Sequence, residues 1–255
     1  MEWLLQVEGW EIALLEVSEL QMPGTDIAPA GVLGELVDLP TNALLLRGHG
    51  STVLVDAGAG ILGDWYPSEG PGLQALLGET VPDLAVVTHL DFDHVGGFLT
   101  GTWPGSLAPA FPSAPVVLLD DAARSARVRD PDQAWNSATR AVAAFEQVGL
   151  LREVADGGEF APGLRLRSAP GHRTGHAILE VGDSFVHLAD VIHHPLHVEH
   201  PEWDGEHDGK PEVALRTRIA ILNEAADKGK LCVASHVRGS GRIERVLDGV
   251  RWAAG

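Results

Sequence analysis

Apolar residues recur along the chain in two alternating styles. Short unbroken runs, ALLLRG (43–48), STVLVDAG (51–58), DLAVVTH (83–89) and PVVLLD (115–120), predict strands buried on both faces. Gly48 and Gly50 separate the first two and predict a hairpin. GLQALLGE (72–79) predicts a short helix. Residues 130–151 place Trp135, Ala138, Val142, Phe145 and Val148 at helical spacing, with Asp130 as N-cap and Pro131 at the first helical position. The β pattern then returns in LRLRSAPG (164–171), HAILEVGDSFVHLAD (176–190) and KLCVASH (230–236). Gly182-Asp183 predicts a turn inside the second of these. A further helix fits residues 211–229, and Asp248-Gly249 predicts a last hairpin in the tail.

Strands with few helices come first, then a mixed middle, then strands and helices again. This order predicts two similar halves, each a sheet covered by helices, in an α/β (α+β) architecture. No linker rich in Pro or Ser divides them, so one domain over residues 1–255 is expected. The composition of this 255-residue chain, 45% hydrophobic and 21% charged, is that of a globular protein. No apolar run is long enough for a membrane helix, and Glu2, Glu8 and Glu11 do not suit a signal peptide. With a single cysteine, Cys232, there is no intrachain disulfide and no cysteine-based metal site; a cytoplasmic location is the expectation. A formal net charge of −18 repels phosphate backbones and argues against nucleic acid as a partner. No G-x-S-x-G elbow and no phosphate-binding glycine loop is present.

The candidate chemistry lies where the strands end. Asp56 follows TVLV, His89 follows LAVVT, His172 follows LRSAPG, Asp190 follows FVHLA and His236 follows LCVAS. Acids and imidazoles delivered at strand ends build a cluster at one rim of a sheet. THLDFDHVGG (88–97) concentrates the pattern: His89 and Asp91 point the same way in extended chain, and Asp93 and His94 follow a bend. Gly96 and Gly97 permit tight backbone there. These are ordinary ligands of zinc, iron and manganese, and there are more of them than one tetrahedral ion can use.

The segment resembles the HxHxDH metal-binding motif of the metallo-β-lactamase superfamily. Asp56 after a strand, PGHRTGH (170–176), LAD (188–190) and ASH (234–236) match further parts in the same order. The resemblance implies a four-layer αββα sandwich with its site at one edge of two packed sheets. It implies that His89, Asp91 and His172 hold one divalent ion and that Asp93, His94 and His236 hold a second, with Asp190 bridging them. Asp56 would orient ligands. It also implies a hydrolase in which a hydroxide between the metals attacks a small ester, lactone or phosphoester, with Asp93 and Asp190 positioning it. Zinc is the metal of most relatives.

Asp91 departs from the family pattern, which has histidine there. Flavodiiron proteins of the same superfamily carry a glutamate at this place and bind iron, so manganese or iron is also expected here. Counted alone, a third carboxylate against two divalent ions holds the metals more firmly and makes bound water a weaker acid. An alkaline site is then expected, shifted to lower pH in Asp91→His.

DVIHHP with HPEW (190–203) and the helix LRTRIAIL resemble segments of lactonase-like and organophosphate-hydrolase-like members. His193 and Phe92 are expected near the substrate, and His176 is expected to support structure. A sequestering patch of His193, His194, His197, His200 and His207 is the competing reading. Trp65 and Tyr66 are candidates for a lid. The expected partner is a small molecule, with homodimerisation open. The rival functions are an iron-binding redox or oxygen-handling member of the superfamily and a non-catalytic metal scaffold.

Overall fold

A computed structural model describes residues 3, 5–65, 68–103, 105–128, 137–203 and 205–255. Two mixed sheets dominate it. The first orders its strands Leu5–Val7, Trp10–Pro23, Leu36–Gly48, Ser51–Val55, Leu84–Val86, Val116–Leu119 and Leu151–Val154, and Ser68–Glu69 pairs with Trp10–Pro23. The second runs Glu159–Ala161, Leu164–Ser168, Ala177–Val181, Phe185–His187, Leu231–Val233, Gly241–Val246 and Gly249–Ala254. In each sheet hairpins give way to parallel pairs: Ser51–Val55 beside Leu84–Val86 in the first, Phe185–His187 beside Leu231–Val233 in the second.

Three apolar interfaces separate four layers. Between the sheets, Leu44, Leu46, Val53, Val55, Leu84 and Val86 meet Leu164, Leu166, Leu179, Val181, Phe185 and Val233. The intervening residues Leu45, Leu54 and Ala85 face outward onto helices Asp120–Arg127 and Ser137–Gln147, through Ala122, Ala126, Ala138, Val142 and Phe145. On the other side, Ile178, Val186 and Cys232 receive Ile221, Leu222 and Ala225 of helix Pro211–Lys228. A strand covered on both faces cannot alternate with polar residues, which is why these strands read as unbroken apolar runs. The αββα sandwich expected from the sequence is the observed fold.

Several elements differ from the sequence reading. The strand expected at 43–48 begins at Leu36 and pairs with Trp10–Pro23 as a long hairpin. In that N-terminal strand Glu, Ser and Gln interrupt the pattern after the short run Ile12–Leu15. Asp120 is the first residue of a short helix and not a strand end. Helix Ser137–Gln147 stops before Val148, and Leu151 opens the next strand. The expected helix start, Asp130, Pro131 and Trp135, lies outside the described residues, as do Tyr66 and the side chain of Trp65. The hairpins predicted at Gly182-Asp183 and Asp248-Gly249 are present. Among the described residues no helix is long and apolar enough to cross a membrane.

Candidate metal centre

The strands that lie parallel end on one rim, and the loops that leave them carry the polar cluster. Strand Leu84–Val86 delivers Thr88 and His89, and a single helical turn, Phe92–Val95, follows with Asp91 at its N-terminus. Asp93 and His94 are buried in that turn. Gly96 and Gly97 serve close approach: a Cβ on Gly96 would stand 1.8 Å from the Ala59 carbonyl oxygen, and one on Gly97 2.0 Å from that of Ala57. The turn is thereby pressed onto the loop after strand Ser51–Val55, where Asp56 sits. Asp56 itself takes a left-handed backbone conformation, φ 53°. A non-glycine residue held there is strained and must be fixed by its surroundings.

Asp56 is fully buried and collects three hydrogen bonds. The Thr88 amide donates to Oδ1 at 2.9 Å, the Thr88 hydroxyl to Oδ2 at 2.7 Å, and His94 Nδ1 to Oδ2 at 2.9 Å. Burial opposes its ionised form, but His94 and His187 beside it hold the carboxyl well below the usual carboxylate range. Each of the other cluster imidazoles is tied through Nδ1 in the same manner. His89 Nδ1 meets the Thr88 hydroxyl at 3.2 Å, His172 Nδ1 donates to Asp208 Oδ1 at 3.2 Å, and His236 Nδ1 donates to the Pro40 carbonyl at 2.9 Å. An acceptor on Nδ1 keeps a proton on that nitrogen and turns Nε2 the opposite way.

Those Nε2 atoms converge. His89 Nε2 lies 3.6 Å and His172 Nε2 3.4 Å from Asp190 Oδ2, and both stand within 3.8 Å of Asp91 Oδ2. His94 Nε2 is 3.3 Å from Asp190 Oδ1 and 3.7 Å from Asp93 Oδ2, and His236 Nε2 is 3.4 Å from Asp93 Oδ2. Asp190 is common to both groups. Among the described residues, His89, His94 and His172 Nε2 and Asp190 Oδ1 are buried and make no hydrogen bond. Native structures rarely leave such atoms without a partner. A tetrahedral ion with ligands at about 2.0–2.1 Å spaces its donors by about 3.3–3.4 Å. The donor types, their spacing and the orphaned lone pairs therefore fit two divalent cations.

All seven residues expected as ligands, His89, Asp91, Asp93, His94, His172, Asp190 and His236, come together here. Asp56 sits behind them, on His94. His193 Nε2 lies 3.4 Å from Asp190 Oδ2, and its ring stacks on that of His236. Phe92 serves two ends: it packs against the core beneath and lines the cleft above. Among the described residues, none of the remaining histidines of the 190–207 segment joins a group whose ligand atoms lie close enough to hold an ion. His197 is buried and donates through Nε2 to the Ile27 carbonyl at 2.7 Å, while its Nδ1 accepts the His193 amide. His194 accepts the Leu196 amide, and His200 stacks on Trp203. His176 donates from Nδ1 to the Ala169 carbonyl and accepts the Asp190 amide on Nε2. Burial, with His172 nearby, pushes its pKa down to about 4, so it stays neutral and supports the backbone of Asp190.

Sequence reasoning missed five supporting residues. Asn42 Nδ2 donates to the carbonyls of Ala234 and Val237 and fixes the loop that carries His236. Thr88 serves Asp56 and His89 together. Asp208 holds His172 and is itself held by Arg218 Nη2 at 2.9 Å. Arg218 left a trace: in the run Ala214, Arg218, Ile221, Leu222, Ala225 it occupies a core-facing position of an amphipathic helix. The fifth is Arg173. Its Nε lies 2.9 Å from Asp91 Oδ1 and 2.7 Å from Oδ2. The expectation of an alkaline site counted Asp91 as uncompensated; this guanidinium offsets its charge and removes the ground for it.

The cleft above the cluster has an apolar wall of Leu20, Met22, Leu39 and Phe92 and a polar side of Arg173, His193 and His207. No protein-family model matches the sequence, and no curated protein does. Solved structures do resemble it in three dimensions. AidC, a dizinc quorum-quenching lactonase in complex with a product, superposes with a TM-score of 0.83 at 18% identity, covering 98% of this chain and 96% of that one. The chain has the metallo-β-lactamase fold. The hydrolase AbOPH of the β-lactamase superfamily gives a TM-score of 0.79 at 21% identity, over 98% of this chain and 96% of the other. A probable metal-dependent hydrolase from Staphylococcus aureus gives 0.77 at 17%, over 98% and 99%.

Asp56→Ala is expected to strand His94 Nδ1 and the Thr88 amide without acceptors. Denaturant unfolding of metal-free protein should register a loss of about 3 kcal/mol, the cost of breaking a buried charged pair from one side. A loss under about 0.5 kcal/mol, the size of an ordinary surface substitution, would contradict the role assigned to Asp56.

Proposed function

We propose that the chain is a metal-dependent hydrolase of small esters or lactones, phosphoesters included, carried by a single domain. One observation carries the reading. Imidazole and carboxylate lone pairs from separate loops converge on the floor of a cleft. His89, His94 and His172 Nε2 and Asp190 Oδ1 have no hydrogen-bond partner among the described residues. His89, Asp91 and His172 would hold one cation, Asp93, His94 and His236 the other, with Asp190 between them. Zinc is the first ion to test, manganese and iron the next. When bound, such a pair acidifies water and polarises the scissile carbonyl or phosphoryl oxygen.

The remaining work falls to the chain. Asp93 and Asp190 turn carboxylate oxygens toward the reacting centre, where they can orient the nucleophile and take up its proton. Burial opposes the charge of Asp190, but His94, His236 and His89 around it keep it ionised well below the usual carboxylate range, which suits a carboxylate that holds a cation and orients the nucleophile. His193 Nε2 stands at the edge of the cluster, placed to donate a hydrogen bond to a substrate oxygen. The wall of Leu20, Met22, Leu39 and Phe92 seats a short hydrocarbon portion and keeps bulk water from it. Support for a lactone comes from AidC, whose complex holds N-hexanoyl-L-homoserine as product.

The test is elemental analysis of freshly purified protein, then a screen of lactones, esters, thioesters and phosphotriesters with that metal supplied. Turnover should be abolished by a chelator, restored by the metal, and reduced by about 100-fold or more in His172→Ala. Full metal occupancy with no turnover across the screen would overturn the reading; colour and a paramagnetic signal with iron would turn it to redox chemistry.

A proton must also leave. Burial disfavours a charged His94, but Asp190, Asp93 and Asp56 outweigh it and raise the pKa well above the ordinary imidazole value. This raised value stabilises the metal-free fold below the unfolded-state pKa, and that stability is lost as pH rises through the folded value. Zinc uptake is therefore expected to expel a proton and to tighten as pH rises. Calorimetric titration in buffers of different ionisation enthalpy measures the release; zero protons released below about pH 7 would contradict it.

A further inference from the structure

The histidine expected at position 91 by resemblance is neutral, and the aspartate found there is not. The structure pairs that aspartate with a cation from a different loop. Arg173 lies next to His172 in sequence, and its Nε stands within hydrogen-bonding distance of both Asp91 oxygens. Its Nη1 donates to the carbonyls of His172 and His207, so the guanidinium is anchored at two further points. Both side chains are largely covered, Arg173 32% and Asp91 25% exposed. Screening by solvent is correspondingly reduced, and a unit charge a few ångströms from the cation site is felt strongly.

We propose that Asp91 and Arg173 form one charge-neutral unit that takes the place of the neutral imidazole, and that Arg173 is a positioning residue which sets the affinity and metal preference of the site. This inference rests on the metal-centre reading above. The carboxylate supplies the ligand oxygen. The guanidinium cancels the added negative charge as seen by the rest of the cluster and holds the carboxylate plane. The two residues must then be strongly coupled. Asp91→His alone leaves an uncompensated cation beside two divalent ions. Arg173→Gln alone leaves an uncompensated anion, which attracts cations and favours the harder ones. The double variant restores a neutral pair.

The experiment is a double-mutant cycle in which Zn²⁺ and Mn²⁺ affinities are read by competition with a chromophoric chelator, with metal stoichiometry by elemental analysis. Asp91→His in the presence of Arg173 is expected to weaken Zn²⁺ binding by about tenfold or more, and by less than about threefold in the Arg173→Gln background. Arg173→Gln alone should move the Mn²⁺/Zn²⁺ selectivity toward Mn²⁺. Arg173→Lys retains the charge, so Asp91→His should remain costly beside it. Far-ultraviolet circular dichroism and denaturant midpoints establish that each variant is folded.

Equal cost of Asp91→His with Arg173 present and with Arg173→Gln in place overturns the pairing while leaving the metal centre intact. So does a loss of coupling in Arg173→Lys as complete as in Arg173→Gln. A wild-type chain that takes up neither ion overturns the metal centre and the pairing together.

Discussion

One constraint organises the site: each imidazole is captured at Nδ1 before it can serve at Nε2. The captors are of different kinds, a carboxylate for His94 and His172, a hydroxyl for His89 and a main-chain carbonyl for His236. An imidazole so held has one direction, and four such rings turned inward leave their Nε2 atoms facing one another. They cannot turn away without breaking the outer bond. The arrangement is costly unless cations fill it. Binding strength is thus built into the scaffold behind the ligands as much as into the ligands.

The captors come from all parts of the sandwich. Asp56 and Thr88 follow neighbouring parallel strands of the first sheet, and Asp208 is held from the outer helix by Arg218. Pro40 belongs to the long N-terminal hairpin, which crosses the rim to meet the loop of the second sheet through Asn42. Helix Pro211–Lys228 therefore does more than cover a sheet. Its buried Arg218 passes orientation through Asp208 to His172. The same hairpin presents Leu20, Met22 and Leu39 to the cleft, so one element supplies both a tether for His236 and the apolar wall.

Much of this was legible in the sequence, for identifiable reasons. Strands buried on both faces announce themselves as apolar runs, and the acids and histidines that follow them stood out because polar groups end such runs abruptly. The long strand Trp10–Pro23 was hidden because solvent-facing residues interrupt its pattern. Asn42 and Asp208 carry no local signature: each acts through a partner distant in sequence, which only the packed chain reveals. Arg218 was detectable, since a charge at a core-facing helical position asks for a buried acceptor. Arg173 was in plain view within PGHRTGH, yet nothing local says that its side chain turns toward residue 91 and not toward solvent. Counting charges along a motif fails where the compensating ion arrives from another loop.

The bond between His236 and the Pro40 carbonyl spans 196 residues of chain. So distant a closure carries a loop entropy, and contacts of such separation slow folding. Neither half of the sandwich can assemble the rim alone. A cation that needs both groups of donors engages only the finished tertiary structure, so its binding energy adds to global stability by mass action and discriminates against partly docked states. Cofactor capture in such a topology doubles as a check that folding is complete.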